Sequence, residues 1–145
     1  MSRAILIALQ KRKTNSIFIT NRSFQKAHLL SKLFNCELID WEERHTFKSS
    51  VIINCTPVGM KPEPHLSPLN YTSLNNFDKI MDVVVNDEDT RLIKDAKKLN
   101  ILNVSGLYMT FFQAAEQFKI YTGYQAPIDY MLMAYNKKFK NSFKL

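Results

Sequence analysis

Arg22 follows Asn21 and precedes Lys26 by one helical turn, gathering a guanidinium and an ammonium on a short stretch. Such a pair can grip a phosphate through charge-assisted, bidentate hydrogen bonds. The plainer alternative is an exposed arginine at a helix start. Thr56-Pro57 closes the β-rich run Val51-Ile52-Ile53-Asn54. A strand that ends this way at the carboxyl edge of a parallel sheet is an expected ligand position. The same dipeptide also serves as an ordinary turn, with Gly59 supplying a positive φ. Gln113 is an uncharged polar residue among Phe111, Phe112, Ala114 and Ala115. Burying its amide costs about 1–3 kcal/mol unless it is hydrogen-bonded. It therefore faces solvent, is bonded in the core, or is kept to bind something.

Other chemistries are excluded by what is missing. The chain holds three glycines, Gly59, Gly106 and Gly123, so no G-x-G-x-x-G arrangement can exist to bring backbone amides against a pyrophosphate. Cys36 and Cys55 share no ligand spacing with His28, His45 or His65, which leaves no metal site and reads both thiols as free and buried. The net charge of +7 favours an anionic partner such as a dinucleotide phosphate. The lysines are nevertheless scattered, apart from a solvated tail at Lys137, Lys138, Lys140 and Lys144, so a nucleic-acid surface is not expected. No apolar run approaches the roughly 20 residues of a membrane-spanning helix. The short apolar stretch after Met1 runs straight into Gln10-Lys11-Arg12-Lys13 without a cleavage site, so a cytoplasmic location and no membrane partner are expected.

The elements that must position these residues follow from periodicity. Ile5, Ala8, Leu9 and Arg12 predict an amphipathic helix over 2–13. A strand over 16–20 precedes a helix capped by Ser23, with Ala27, Leu30 and Phe34 on one face. Residues 37–39 and 51–54 read as strands, and 61–76, with Pro62, Pro64 and Pro68, as mostly loop. Residues 79–85 form the strongest strand, apolar enough to be buried on both faces. Leu92, Ile93, Ala96 and Leu99 mark a helix facing the sheet, and 101–104 the next strand. A helix over 107–121 is apolar almost all round, implying burial from two sides; Gly123 ends it. Ile128, Met131, Leu132, Tyr135 and Phe139 mark a last helix. Strands alternating with helices of this length imply parallel βαβ units and a doubly wound α/β sheet. Without a repeat or linker, 1–145 reads as one domain.

Four segments, in order and spacing, resemble the nucleotide-binding domain of shikimate dehydrogenases. Ser2-Arg3-Ala4-Ile5 looks like the start of the helix after that family's glycine-rich loop. Asn21-Arg22-Ser23-Phe24-Gln25-Lys26-Ala27 is similar to its Asn-Arg-Thr-x-x-Lys-Ala element. Asn54-Cys55-Thr56-Pro57-Val58-Gly59-Met60 resembles the loop after its fourth strand, with Pro68-Leu69 following. The stretch from Ser105-Gly106-Leu107-Tyr108-Met109 to Gln113 and on to Phe118 resembles its long helix, and Thr122-Gly123 the exit from it. No single motif is specific, but the ordered set is, and it covers nearly the whole chain.

The resemblance implies a Rossmann-like doubly wound parallel sheet lacking the first strand and the glycine-rich loop, so that 1–145 is a single incomplete NADP-binding domain. Where NAD-binding folds carry an acidic residue for the ribose hydroxyls, this chain has Asn21-Arg22, which suits a 2′-phosphate, with Lys26 adding charge; the implied cofactor is NADP. Thr56, Pro57 and Val58 fall on the nicotinamide side, as do Gly106 and Met109 by resemblance alone. Gln113 falls where the family hydrogen-bonds a hydroxyl of shikimate. The implied activity is NADP-dependent reduction of 3-dehydroshikimate to shikimate. The family's proton-transfer Lys and Asp lie in an N-terminal domain that this chain does not contain, so no catalytic residue is assigned.

Val85 and Asp87 also depart from the family, which has Tyr and Pro there, while Thr90 matches. The absent first strand would lie at the centre of the sheet, leaving the strands near Ile17 and Val51 with open edges. Tyr108, Phe111 or Phe112 would then present an apolar patch. Expected partners are a separate N-terminal substrate domain or a second copy of the chain, with shikimate or 3-dehydroshikimate engaged only when complemented. The alternative is a non-catalytic truncated homologue acting as a binding or interaction domain.

Overall fold

The computed structural model describes residues 1–139, so Lys140 and Lys144 of the expected tail fall outside the described residues. The chain divides into two compact units, 1–49 with 69–76, and 50–68 with the chain from Phe77 onward. No helix among the described residues is long and apolar enough to cross a membrane.

The first unit runs α1 (Ser2–Lys11), β1 (Phe18–Ile19), α2 (Phe24–Phe34) and β2 (Glu37–Leu38). β1 and β2 pair in parallel, Phe18 opposite Glu37 and Ile19 opposite Leu38. On α1 the fully buried residue is Leu6, while Ile5 and Leu9 are half-buried and Ala8 is exposed. The apolar stripe is thus rotated from the expected one. α2 buries Ala27 and Ser31, with Leu30 and Phe34 beside them, and Asn35 closes it in the left-handed region at φ 47°. Two 3-10 turns, Glu42–His45 and Tyr71–Asn76, lie where no element was expected. His45 joins them: its Nδ1 lies 3.4 Å from the Asn70 N–H and from the Ser73 hydroxyl, and its carbonyl accepts the Asn76 amide at 3.1 Å.

The start of α2 departs from expectation. Ser23 occupies the cap position, but its side chain makes no capping bond. Instead the Ser23 N–H donates to Oδ1 of Asn21 at 2.8 Å. Asn sits two residues upstream of that N–H, the spacing at which its side chain closes an Asx turn, so the amide supplies the acceptor that the serine does not. Asn21→Ala is therefore expected to cost about 1 kcal/mol of stability and Ser23→Ala nearly nothing, measurable by urea unfolding.

The second unit holds β3 (Ser49–Asn54, entered from the first unit), β4 (Phe77–Asp82), α3 (Arg91–Lys98), β5 (Leu102–Val104), α4 (Gly106–Thr122) and α5 (Ile128–Phe139). The sheet order is β3-β4-β5, and β4 pairs with β5 in parallel, Ile80 opposite Asn103. β1 and β3 each lie at the edge of their sheets.

β4 starts two residues earlier than expected and ends at Asp82. Phe77, Ile80 and Asp82 are buried, but Asp78 and Lys79 are exposed, so the strand is not buried on both faces. α3 follows its expected period, with Leu92, Ile93 and Ala96 inside. α4 buries one stripe, Gly106, Leu107, Phe111 and Ala115, rather than two sides. Phe111 is a core residue, packed edge-on against Tyr135 of α5 at 5.5 Å between ring centroids; of the expected patch Tyr108 is half-buried and Phe112 exposed. Tyr135 also donates to the Leu107 carbonyl at 2.8 Å, which fixes α5 along α4.

Candidate functional site

In the first unit, Asn21 and Arg22 follow directly on β1, and the Asx turn holds the backbone on either side of Arg22. Arg22 and Lys26 are exposed, and neither enters an ion pair among the described residues. Both charges are left available to a ligand. Asn21 and Arg22 line a concavity of about 300 Å³ with Leu38, Asp40, Trp41 and Glu42. The Arg44 guanidinium stacks 3.9 Å from the Trp41 ring centroid and so steadies one wall. The Asp40 and Glu42 carboxylates repel anions, which leaves the Arg22 end as the cationic side of the concavity.

In the second unit, the carboxyl ends of three strands come together. The Val83 N–H donates to the Asn54 carbonyl at 3.1 Å, joining the exits of β3 and β4. Beyond β3, Asn54 Oδ1 accepts both the Thr56 N–H at 3.0 Å and the Thr56 hydroxyl at 2.7 Å, and Thr56 Oγ1 accepts the Val58 N–H at 3.3 Å. This fixes the Thr56-Pro57-Val58 loop. Gly59 continues it at φ 92°, a region that favours glycine, and the Asn86 amide donates to its carbonyl at 2.8 Å. Beyond β5, Gly106 opens α4 against the β4 exit. A Cβ there would lie 2.3 Å from the Val84 carbonyl oxygen and 2.7 Å from its carbon. Gly106 is thus required by close backbone approach, a reason that its sequence context did not disclose.

Thr56, Pro57, Val58 and Gly106 accordingly share one sheet edge, with half-buried Met109 one turn into α4 and Gln113 exposed a further turn along. Asn21, Arg22 and Lys26 belong to the other unit. Two residues that sequence reasoning missed organise this edge. Asp82 is wholly buried, at 0% exposure. Its Oδ1 accepts the Asn54 amide at 2.9 Å and the Val84 N–H at 3.1 Å, and its Oδ2 accepts the Thr90 hydroxyl at 2.6 Å. Asn54, buried likewise, bridges Asp82 to Thr56. An acidic residue inside an apolar run was the signal available.

Burial pushes the Asp82 carboxyl above the usual carboxylate range, against the bonds from Thr90, Val84 and Asn54 that pull it down. A folded-state value above the unfolded one gives stability that is full at low pH and lost as pH rises through the folded value. Asp82→Asn removes that dependence. The stability difference between variant and wild type should therefore move in the variant's favour from acid to neutral pH, as read from urea unfolding. Burial also pushes the Cys55 thiol up to about 11, which leaves it protonated and unreactive at neutral pH.

Strand exits carrying ligand-ready loops, with helices between parallel strands, define a Rossmann-like α/β protein. No protein-family model matches the chain. It is 34% identical over 136 residues to the NADP(+) shikimate dehydrogenase of Methanocaldococcus jannaschii, covering 86% of this chain and 48% of that protein. Among solved structures, a chorismate mutase/shikimate 5-dehydrogenase fusion protein from Clostridium acetobutylicum aligns with a TM-score of 0.84 at 28% identity, over 97% of this chain and 52% of that one. The shikimate 5-dehydrogenase of Thermus thermophilus, in complex with NADP(H) and shikimate, aligns with a TM-score of 0.80 at 26% identity, over 94% and 51%. The chain spans about half the length of each of these three proteins. Over the span they share, the relatives at 30–34% identity are shikimate dehydrogenases.

Proposed function

We propose that residues 1–145 form a single incomplete NADP-binding domain of a shikimate dehydrogenase-type oxidoreductase. The observation that carries this reading is Arg22, exposed, without an ion-pair partner among the described residues and anchored by the Asn21 turn beyond β1. The residues present fit the phosphate-bearing ribose of NADP: Arg22 supplies two parallel donors and Lys26 a second charge. Gly59, Gly106 and Gly123 form no G-x-G-x-x-G arrangement, so the pyrophosphate is not assigned to residues of this chain.

The chemistry that bound NADPH would supply is a hydride for reduction of the 3-keto carbon of 3-dehydroshikimate. The chain's own part is to bind and orient. The Thr56–Val58 loop, Gly106 and Met109 would face the nicotinamide, and exposed Gln113 would offer its amide to a substrate hydroxyl. The portion of the relatives that this chain does not match would supply the proton donor and the remaining substrate contacts. A second reading, a non-catalytic binding homologue, is favoured by Val85 and Asp87, which stand where the resemblance expects Tyr and Pro.

An absorbance assay of NADPH formation from NADP and shikimate tests the assignment. The 145-residue chain alone is expected to show no turnover. Addition of a substrate domain that carries its own glycine-rich strand should produce some. Turnover by the chain alone would remove the need for a complementing domain, and none after complementation would favour the binding homologue.

A further inference from the structure

We propose that Asp82 is a positioning residue, which sets the Thr56–Val58 loop through Asn54 and ties that loop to the first turn of α3 through Thr90. This rests on the reading of that loop as the cofactor-facing one. Asp82 is at 0% exposure and enters no ion pair among the described residues. A carboxylate buried without a cation is expensive unless hydrogen bonds replace its hydration. Here three donors do so, and they come from separate segments: Asn54, 28 residues upstream, the nearby Val84 N–H, and Thr90, 8 residues downstream.

The chemistry of these groups gives the arrangement a direction. Asp82 Oδ1 receives the Val84 N–H and is therefore an acceptor, so Asn54 must present its NH₂ to it. Its carbonyl oxygen is then turned toward Thr56, where it accepts the N–H and the hydroxyl together. Thr56 Oγ1 is thereby left to receive the Val58 N–H. The orientation of one buried amide, dictated by Asp82, thus passes into the loop. At the other oxygen, Thr90 gives its hydroxyl proton to Asp82 and accepts the Ile93 N–H at 3.4 Å as the cap of α3.

Amide hydrogen exchange on the full chain, without nucleotide, reads these ties one by one. Asp82→Ala should accelerate exchange at Thr56, Val58 and Ile93 by roughly ten- to a hundredfold, the loss of a charged hydrogen-bond acceptor. Asp82→Asn should return Thr56 and Val58 to near wild-type rates. The Val84 N–H demands an acceptor at Oδ1, and that same oxygen keeps Asn54 in place. Wild-type rates at Thr56 and Val58 in Asp82→Ala would overturn the proposal, as would failure of Asp82→Asn to restore them.

Should Asp82→Ala not fold, Asn54→Ala tests the same link. It is expected to accelerate Thr56 and Val58 while sparing Ile93, and unchanged loop rates would again overturn the proposal. NADP titration is the separate arm, with roughly tenfold weaker binding expected for Asp82→Ala. If the wild-type chain binds no NADP, the functional reading fails, and the exchange rates still decide the role of Asp82.

Discussion

Gly106→Ala is expected to destabilise the second unit by about 3 kcal/mol or more, although the same change at most helical glycines stabilises by about 0.5–1 kcal/mol. The sign is decided by geometry. A Cβ at this position would sit 2.3 Å from the Val84 oxygen, 2.7 Å from the Val84 carbonyl carbon and 2.8 Å from the Val83 oxygen. All three are backbone atoms, so no rotamer change relieves the contact. Relief requires α4 to withdraw from the β4 exit, which would loosen Leu107 and Phe111 in the core as well as the Val83 bond to Asn54. Gly123→Ala is the matched control. Its φ of 75° strains an alanine, but a Cβ there meets nothing within 4 Å, so a loss of only about 1 kcal/mol is expected. Urea unfolding followed by tyrosine fluorescence should separate the two clearly. Equal losses would show that backbone approach at Gly106 is not the constraint.

Arg22→Ala is the second large effect, and it falls on ligand choice rather than folding. A guanidinium that binds a 2′-phosphate loses charge-assisted, bidentate bonds when removed, so NADP affinity should fall roughly ten- to a hundredfold. NAD has no 2′-phosphate, and its affinity should not change. Because Arg22 is exposed, the NADP effect should shrink as salt is added. Lys26→Ala should show the same selectivity with a smaller loss, since an ammonium acts as a point charge without the bidentate fork. Equal losses for NADP and NAD would take the phosphate role away from Arg22.

The parts of the fold set by local chemistry were legible in the sequence. α3 was readable because Leu92, Ile93 and Ala96 keep the helical period, while its cap at Thr90 came from the structure. The strand exits were readable as well, since Thr56-Pro57 and Ser105-Gly106 interrupt apolar runs at the right spacing. What was not legible depends on pairings between distant segments. Asp82 reads as one polar residue inside the apolar run 79–85, and Asn54 and Thr90, brought to it by the sheet and by α3, join the Val84 N–H in making its burial possible.

The inward choice of Phe111 over Phe112 turns on where α5 brings Tyr135, which no period within α4 encodes. Ser23 was a sound cap by type, but Asn21 reaches the same region of backbone first. Of the candidate site, the cationic pair and the loop after β3 could be named from residue type and order. The buried network beneath that loop could not.

Trp41 is the only tryptophan in the chain, and it lines the same concavity as Asn21 and Arg22. Its fluorescence is therefore a direct report on the central claim, and a ligand without a pyrophosphate isolates the 2′-phosphate. Titration with adenosine 2′,5′-bisphosphate should change the Trp41 emission saturably, and AMP at the same concentrations should not. No response to the bisphosphate, or an equal response to both nucleotides, would contradict a 2′-phosphate site at Arg22.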